Sequence, residues 1–380
     1  MIILKKRPSK LLLAVIVCAV LMFGTVSCTK QQAEPGTPSE AEKESRYPLT
    51  ITDSAEKTIV LDKPVEKVIV LNSRIAEAMR ILGVEDKIVA VSDSIIESSK
   101  QFPMLSKKPS IGSGLRPCVE TIVSFKPDVV FAWVRRPDPK VLQEDELEAA
   151  GIKVIRLDLY RPKTLLKEMK ILGEEFNKKA ELEAYIDWHD NYINLIKSRV
   201  ATISEEDRVR VFIESDGVGK NPGTRRAMGG RSGIQELVTI AGGINIAADY
   251  IPKTSGDVET EWILAQNPDV IIGREMRRAG GFETDDPADM REHYLEIKEL
   301  PGFAEKVKAV IDNRVYIISS DIVGGPPLPV GAAYLAKWFY PEKFEDLDPQ
   351  AIHQEYIDKF WGGISYDVTA EGVFVYPPQK

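Results

Sequence analysis

From Tyr47 onward, short β-branched runs alternate with longer amphipathic stretches, and this rhythm constrains the fold more than any other feature of the chain. KVIVLN (67–72) reads as a strand, RIAEAMRIL (74–82) as a helix stopped by Gly83, and IVAV (88–91) as the next strand. VETIVSF (119–125) reads as a helix interrupted by Pro127, and DVVFAW (128–133) as a strand. LQEDELEAA (142–150) then gives a helix ending at Gly151, and IKVIRL (152–157) a strand. Strands separated by helical crossovers lie parallel, so the pattern predicts an α/β fold, a mostly parallel sheet with helices on its faces. The rhythm breaks between 162 and 203, where Leu165, Leu166, Met169, Leu172, Phe176, Leu182, Tyr185, Ile186, Tyr192, Ile193 and Ile196 recur at helical spacing without a strand signal. One connector helix is expected there, long enough at ~1.5 Å per residue to cross most of a domain, with Asn177 as the place where it would divide. Alternation then resumes with RVRVFIE (208–214), a Gly-rich loop (217–233), a helix to Ala241, DVIIG (269–273) and RVYIIS (314–319). VGAAYLAKWF (330–339) and PQAIHQEYIDKF (349–360) read as helices. The expected organisation is one α/β lobe over 47–161, the connector over 162–203, and a second α/β lobe with C-terminal helices over 204–380.

The segment ahead of this region has a different character. Lys5, Lys6, Arg7 and Lys10 precede an uncharged apolar run from Leu11 to Val26, which ends in Thr25-Val26-Ser27-Cys28. A basic start, an apolar run and small residues before a cut make residues 1–27 an export signal. A cysteine directly after the cut can carry a diacylglyceryl group, so Cys28 is a lipidation candidate; the alternative is that the segment is kept as a membrane helix. Either way the bulk of the chain lies outside the cytoplasmic membrane. Residues 28–46 are rich in Glu, Pro, Ser and Gln and hold too little apolar surface to fold, so they read as a tether. The formal charge of the whole chain is −8, and without the basic signal it is more negative still, which disfavours nucleic acid as a partner. Of the three cysteines only Cys118 lies beyond the tether, so no intramolecular disulfide is available and packing alone must hold the fold.

One internal echo outweighs any single motif. Glu120-Thr-Ile-Val-Ser-Phe-Lys-Pro127-Asp128 and the apolar run after it match Glu261-Trp-Ile-Leu-Ala-Gln-Asn-Pro268-Asp269 and its apolar run. Each has an acid, a short helix, Pro-Asp and a strand, as expected of two similar lobes flanking a connector.

These segments, with LTITDSAEKTIVLDKPVEKVIVLNS (49–73), ILGVEDKIVAVSD (81–93), LEAAGIKVIRLD (147–158), IQELVTIAGGINIAAD (234–249) and NRVYIISSD (313–321), resemble the iron-chelate and cobalamin class of periplasmic binding proteins. The resemblance runs from about Leu49 to Phe360 and rests on the order and spacing of the segments. It implies the class III architecture: two lobes joined by one long helix, ligand held between them, and little hinge motion. It implies as partners the two permease subunits of an ATP-driven importer and their ATPase subunits, with Glu120 and Glu261 pairing with arginines of the permease. A monomer is expected, with a metal chelate as its small-molecule partner and no cofactor of its own.

Ligands of open parallel sheets bind beyond the carboxyl ends of strands. That rule selects Ser73 and Arg74 after the first strand of the lobe, Trp133, Arg135 and Arg136 after the first echo strand, and Arg274, Arg277 and Arg278 after the second. Arg116 lies in the loop before Glu120, and Arg225, Arg226 and Arg231 stand among glycines before a helix capped by Ser232. By the resemblance, Trp133 corresponds to a tryptophan that contacts ligand in the cobalamin-binding branch. Guanidiniums and helix starts suit carboxylate, catecholate or oxyanion groups. His189, His293 and His353 lack the spacing of a bare metal site, so any metal is expected to arrive inside a chelate or as an oxyanion. An iron(III) siderophore or citrate complex fits best, with cobalamin and molybdate or tungstate as alternatives. The 217–233 loop is not a phosphate-binding P-loop, GGRSGI around Ser232 lacks the closing glycine of a nucleophile elbow, and nothing identifiable activates Cys118, so catalysis is not expected.

Overall fold

The structure, a computed structural model, describes residues 46–219, 221, 223–275 and 280–378. The signal, Cys28, nearly all of the tether, Arg277 and Arg278 lie outside the described residues.

The folded part opens with an antiparallel hairpin, β1 (Leu49–Thr52) and β2 (Thr58–Leu61). Then come β3 (Val68–Val70), α1 (Ser73–Ile81), β4 (Ile88–Val91), α2 (Val119–Phe125), β5 (Val129–Ala132) and β6 (Lys153–Arg156). The sheet order is β4-β3-β5-β6, all parallel. Gly83, at φ +65°, ends α1 in the left-handed conformation that a side chain resists, and Val84 N–H donates to the Met79 carbonyl across the turn.

Where one connector helix was expected there are two, α3 (Leu165–Glu175) and α4 (Lys179–Val200). Asn177 sits between them at φ +55°, and Lys178 N–H closes back on the Gly173 carbonyl. Asparagine tolerates this left-handed turn better than most residues. The turn folds the helices together: a Cβ on Gly173 would stand 2.7 Å from Leu182 Cδ2.

The second lobe contains β7 (Arg210–Val218), β8 (Thr224–Met228), α5 (Gly233–Ile240), β9 (Ile244–Asn245), β10 (Ser255–Glu259) and α6 (Thr260–Gln266). It continues with β11 (Val270–Glu275), α7 (Ala288–Lys298), β12 (Val315–Ser319), α8 (Leu328–Phe339), α9 (Pro349–Phe360) and β13 (Val375–Tyr376). Its parallel strands run β9-β7-β11-β12, the same arrangement as β4-β3-β5-β6. β8 and β10 add an antiparallel extension, and β13 closes the far edge. Within the Gly-rich loop expected over 217–233, residues 217–218 and 224–228 are therefore strand. Residues 224–227 alternate in burial, and 224–228 pair with 255–259, a long-range ladder that overrides the local loop composition.

The sequence echo is also structural. α2 ends on Lys126 at φ +49° and α6 on Asn267 at φ +45°, each followed by Pro-Asp. Asp128 then accepts from the Lys67 N–H at 2.9 Å, and Asp269 from the Arg210 N–H at 2.9 Å, so each aspartate pins the start of the neighbouring strand. Lys63 pairs with Asp128 at 2.6 Å and Lys308 with Asp269 at 2.7 Å.

Alternate strand residues point to opposite faces. Val68, Val70, Val129, Phe131, Val211, Ile213, Val270 and Ile272 face one core that continues through α1, α3, α4, α5, α8 and α9. Ile69, Val130 and Val154 pack in a separate outer layer of the first lobe, and Phe212, Ile271 and Ile317 in that of the second. The lobes thus share one hydrophobic interior.

Candidate functional site

A cavity of about 460 Å³ lies between the lobes. The first lobe contributes Asn72, Ser73, Arg74, Ser94, Trp133 and Asp158, and Tyr160 follows in the chain. The facing wall comprises Met228, Gly233, Ile234, Thr254, Arg274, Ser320, Val323 and Gly324. Asn72, Trp133 and Asp158 come just after the carboxyl ends of β3, β5 and β6, and Ser320 just after β12, as open parallel sheets predict.

Both lobes direct a helix start at this space. Asn72 caps α1 by accepting from the Arg74 N–H at 2.9 Å, and Ser73 and Arg74 line the cavity. Ser232 caps α5 by accepting from the Gln235 N–H at 3.2 Å, and Gly233 and Ile234 line the opposite wall. First-turn N–H groups lack intrahelical acceptors and carry the positive end of the helix dipole, so the pair favours negative charge between them. Burial raises the Asp158 carboxyl above its ordinary range, while the Val134 N–H donated to it and the nearby Arg161, Arg135 and Arg156 oppose that rise. Burial also raises the Tyr160 phenol, against the pull of Arg161 and Arg274.

Of the residues expected at the ligand, the cavity brings together Ser73, Arg74, Trp133 and Arg274. Arg74 is already engaged: it donates to the Ser320 carbonyl at 2.8 Å and the Asp321 carbonyl at 3.2 Å, and faces Glu77 at 3.3 Å. It braces one lobe against the other from the cavity wall.

Arg225 is not at the cavity. It is only 4% exposed and grips Glu214 with two hydrogen bonds, of 2.9 and 2.6 Å. Glu214 also bonds His293 Nε2 at 2.6 Å, and His293 Nδ1 bonds Glu275, so the guanidinium neutralises a buried acidic cluster. Arg226, on the alternate face of β8, reaches Asp257 at 3.2 Å and Ser255 Oγ at 2.8 Å. Arg116, Arg135, Arg136 and Arg231 are exposed and lie outside the lining. Arg116 does belong to the short hairpin whose Gly114 abuts the Trp133 ring: a Cβ there would meet it at 2.9 Å. Asp158, Tyr160, Ser94, Thr254 and Ser320 escaped the sequence reading. The strand-end rule reaches Asp158 and Ser320, but preferring positive charge passed them over.

His189, His293 and His353 are buried at separate places, and among the described residues no group of three or more His, Cys, Asp or Glu side chains is arranged to hold a metal ion. Glu120 and Glu261 are both exposed, each the second residue of its helix.

Comparison with known proteins accords with this geometry. The chain is 26% identical to the uncharacterized ABC transporter substrate-binding lipoprotein YvrC of Bacillus subtilis, over 90% of this chain and 100% of that one. It is 27% identical to a cobalamin-binding protein of Halobacterium salinarum, over 68% of this chain and 67% of the relative. The crystal structure of the TroA-like periplasmic binding protein FepB from Veillonella parvula superposes with a TM-score of 0.71 at 25% identity, covering 86% of this chain and 99% of that one. The profile of the family described as periplasmic binding protein matches residues 68–322, from the first parallel strand to just short of Val323 and Gly324 in the cavity wall. With that match, the chain belongs to the periplasmic binding proteins, in the siderophore and cobalamin class that serves ABC importers, and it is an extracytoplasmic solute-binding protein rather than an enzyme.

Proposed function

We propose that the chain captures an anionic iron(III) chelate, of siderophore or citrate type, and delivers it to an ABC importer. The observation that carries this reading is the pair of helix starts, one from each lobe, aimed at a shared cavity beside Arg274. The volume and the Trp133 and Tyr160 walls suit a compact organic complex, since ligand pockets of about 300–1,000 Å³ enclose drug-sized molecules. Trp133 in the wall favours cobalamin as the second reading. Molybdate or tungstate would use the helix starts and leave the aromatic walls idle.

Isothermal titration of the chain from residue 47 with ferric siderophores, ferric citrate, cobalamin, molybdate and tungstate tests the cargo. One-to-one binding of a ferric chelate, weakened in Arg274→Ala, is expected. Tight cobalamin binding without response to ferric complexes would sink the ferric reading.

Delivery is assigned to Glu120 and Glu261, equivalent acids on two lobes of like topology, as docking to two permease subunits requires. Cys28 is assigned as the lipid anchor that keeps the receptor at the membrane, and among the described residues no helix is long and apolar enough to cross one. Glu120→Ala combined with Glu261→Ala should spare ligand affinity and reduce stimulation of importer ATPase in proteoliposomes. Loss of ligand affinity instead would show the two residues to be misassigned.

A further inference from the structure

Each cavity wall carries a helix start, and the walls differ in the group that stands beside it. Arg274 and the start of α5 stand on one side, and on the other is a carboxylate, Asp158, two residues beyond the end of β6. The Asp158 backbone is held by Asn72 Nδ2, which donates to its carbonyl at 3.0 Å. Its side chain is held by the Val134 N–H, which donates to Oδ1 at 3.0 Å. Both atoms are fixed by the first lobe, so the carboxylate does not swing freely.

Two of the three arginines around Asp158 are engaged elsewhere. Arg156 pairs with Glu144 at 2.5 Å and donates to the Trp133 and Pro137 carbonyls, while Arg161 binds Glu236. Arg135 is exposed. Among the described residues no salt bridge to Asp158 and no hydrogen bond to its Oδ2 is found. The cavity therefore presents an acceptor oxygen on a wall that faces the positive end of α5.

We propose that Asp158 is a specificity-determining residue, and that it selects a chelate carrying N–H or O–H donors on the side opposite its acidic groups. This rests on the reading of the cavity as a chelate site. A bare oxyanion or an all-acceptor chelate would set lone pairs against the Asp158 carboxylate and be rejected, because a buried acceptor left facing another acceptor loses its solvation without replacement. A ligand with amide or hydroxyl donors fills the same space and satisfies Oδ2 with a charge-assisted hydrogen bond. Within the proposed cargo class, this favours amide- or hydroxyl-bearing siderophores over citrate, and disfavours molybdate.

The test uses a matched pair of iron(III) complexes, one of 2,3-dihydroxybenzoylserine, with amide and hydroxyl donors, and one of 2,3-dihydroxybenzoate, without them. Molybdate and cobalamin, whose periphery carries amides, complete the set. Titrations are run on the wild-type chain and on Asp158→Asn, which keeps an oxygen to accept the Val134 N–H and is checked for folding by circular dichroism. The wild type should prefer the donor-bearing ferric complex by about tenfold or more, the ratio one charge-assisted hydrogen bond supplies. Asp158→Asn should erase the preference by weakening that complex and strengthening the acceptor-only probes. Equal affinities within the pair, or constants unmoved by Asp158→Asn, would overturn the assignment. Binding of cobalamin alone, weakened by Asp158→Asn, would overturn the ferric reading and leave the donor selection standing. Binding of molybdate alone, or of no probe, would overturn both.

Discussion

Arg225 and Arg274 are the same residue type on strands of one sheet, yet Arg225 is buried away from the cavity and Arg274 lines it. Arg225 is sealed against Glu214, so truncating it leaves that buried carboxylate with His293 alone, a loss of up to about 3–5 kcal/mol for broken buried pairs. Urea denaturation of Arg225→Ala should show that loss while the folded fraction keeps its ligand affinity; Arg274→Ala should weaken ligand binding in titration. Beside them, burial alone would lower the His293 pKa, but hydrogen bonds to Glu214 and Glu275 raise it from 6.5 to about 9. A raised folded-state value means the imidazolium stabilises the fold fully below about pH 6.5, and that contribution is lost as pH rises through about 9. The shift corresponds to something on the order of 3 kcal/mol. Stability measured between pH 6.5 and 10 should therefore fall, and His293→Gln should flatten the profile. The sequence made the residues at the strand ends legible: Ser73 and Trp133 follow β3 and β5, Arg274 is the last but one residue of β11, and all three line the cavity. It could not separate Arg225 from Arg274, because burial depends on a partner eleven residues away on the adjoining strand and on a histidine from a distant helix.

At the level of elements, the parallel strands and their helices were legible because each carries its own periodicity and stop. Val119–Phe125, Ile88–Val91 and Pro349–Phe360 coincide with the sequence reading to the residue. The hairpin formed by 210–218 and 224–228 was legible only in its first strand, read over 208–214, since the glycines beyond it read locally as a loop and the register of 224–228 is set by pairing with Ser255–Glu259. The connector divides for a local reason, the left-handed Asn177. Alanine there should cost up to about 1 kcal/mol, because it keeps the Cβ and loses the local polar interactions that let asparagine adopt this conformation, whereas glycine, which has no Cβ, should be close to neutral. Guanidinium denaturation of Asn177→Ala and Asn177→Gly measures the difference. Equal stabilities for the two variants would mean that the turn is imposed by packing of Leu182 on Gly173 rather than by the asparagine.

For the whole molecule, the shared interior argues against large motion between lobes. Core residues from β3, β5, β7 and β11 belong to one cluster with the connector helices, so separating the lobes would open apolar surface at about 25 cal/mol per Å². Polar ties reinforce this: Arg74 reaches the Ser320 and Asp321 carbonyls, Tyr185 donates to the Pro326 carbonyl at 2.9 Å, and Glu283 accepts from the Lys100 and Gln101 N–H groups at 3.1 and 2.9 Å. The backbone is shaped around the first of these, since a Cβ on Gly325, at φ +93°, would fall 2.6 Å from Arg74 Cδ. Ligand capture should therefore proceed with the lobes nearly fixed, and release should depend on the permease prising apart what the free receptor holds closed. Small-angle scattering should give superimposable curves for the ligand-free chain and for the chain loaded with a ferric chelate. Arg74→Ala should lower stability and raise the ligand dissociation rate measured by stopped flow, because it removes the brace without touching the hydrophobic interior. A marked contraction of the wild type on loading would contradict this picture, and so would an Arg74→Ala variant that releases ligand at the wild-type rate.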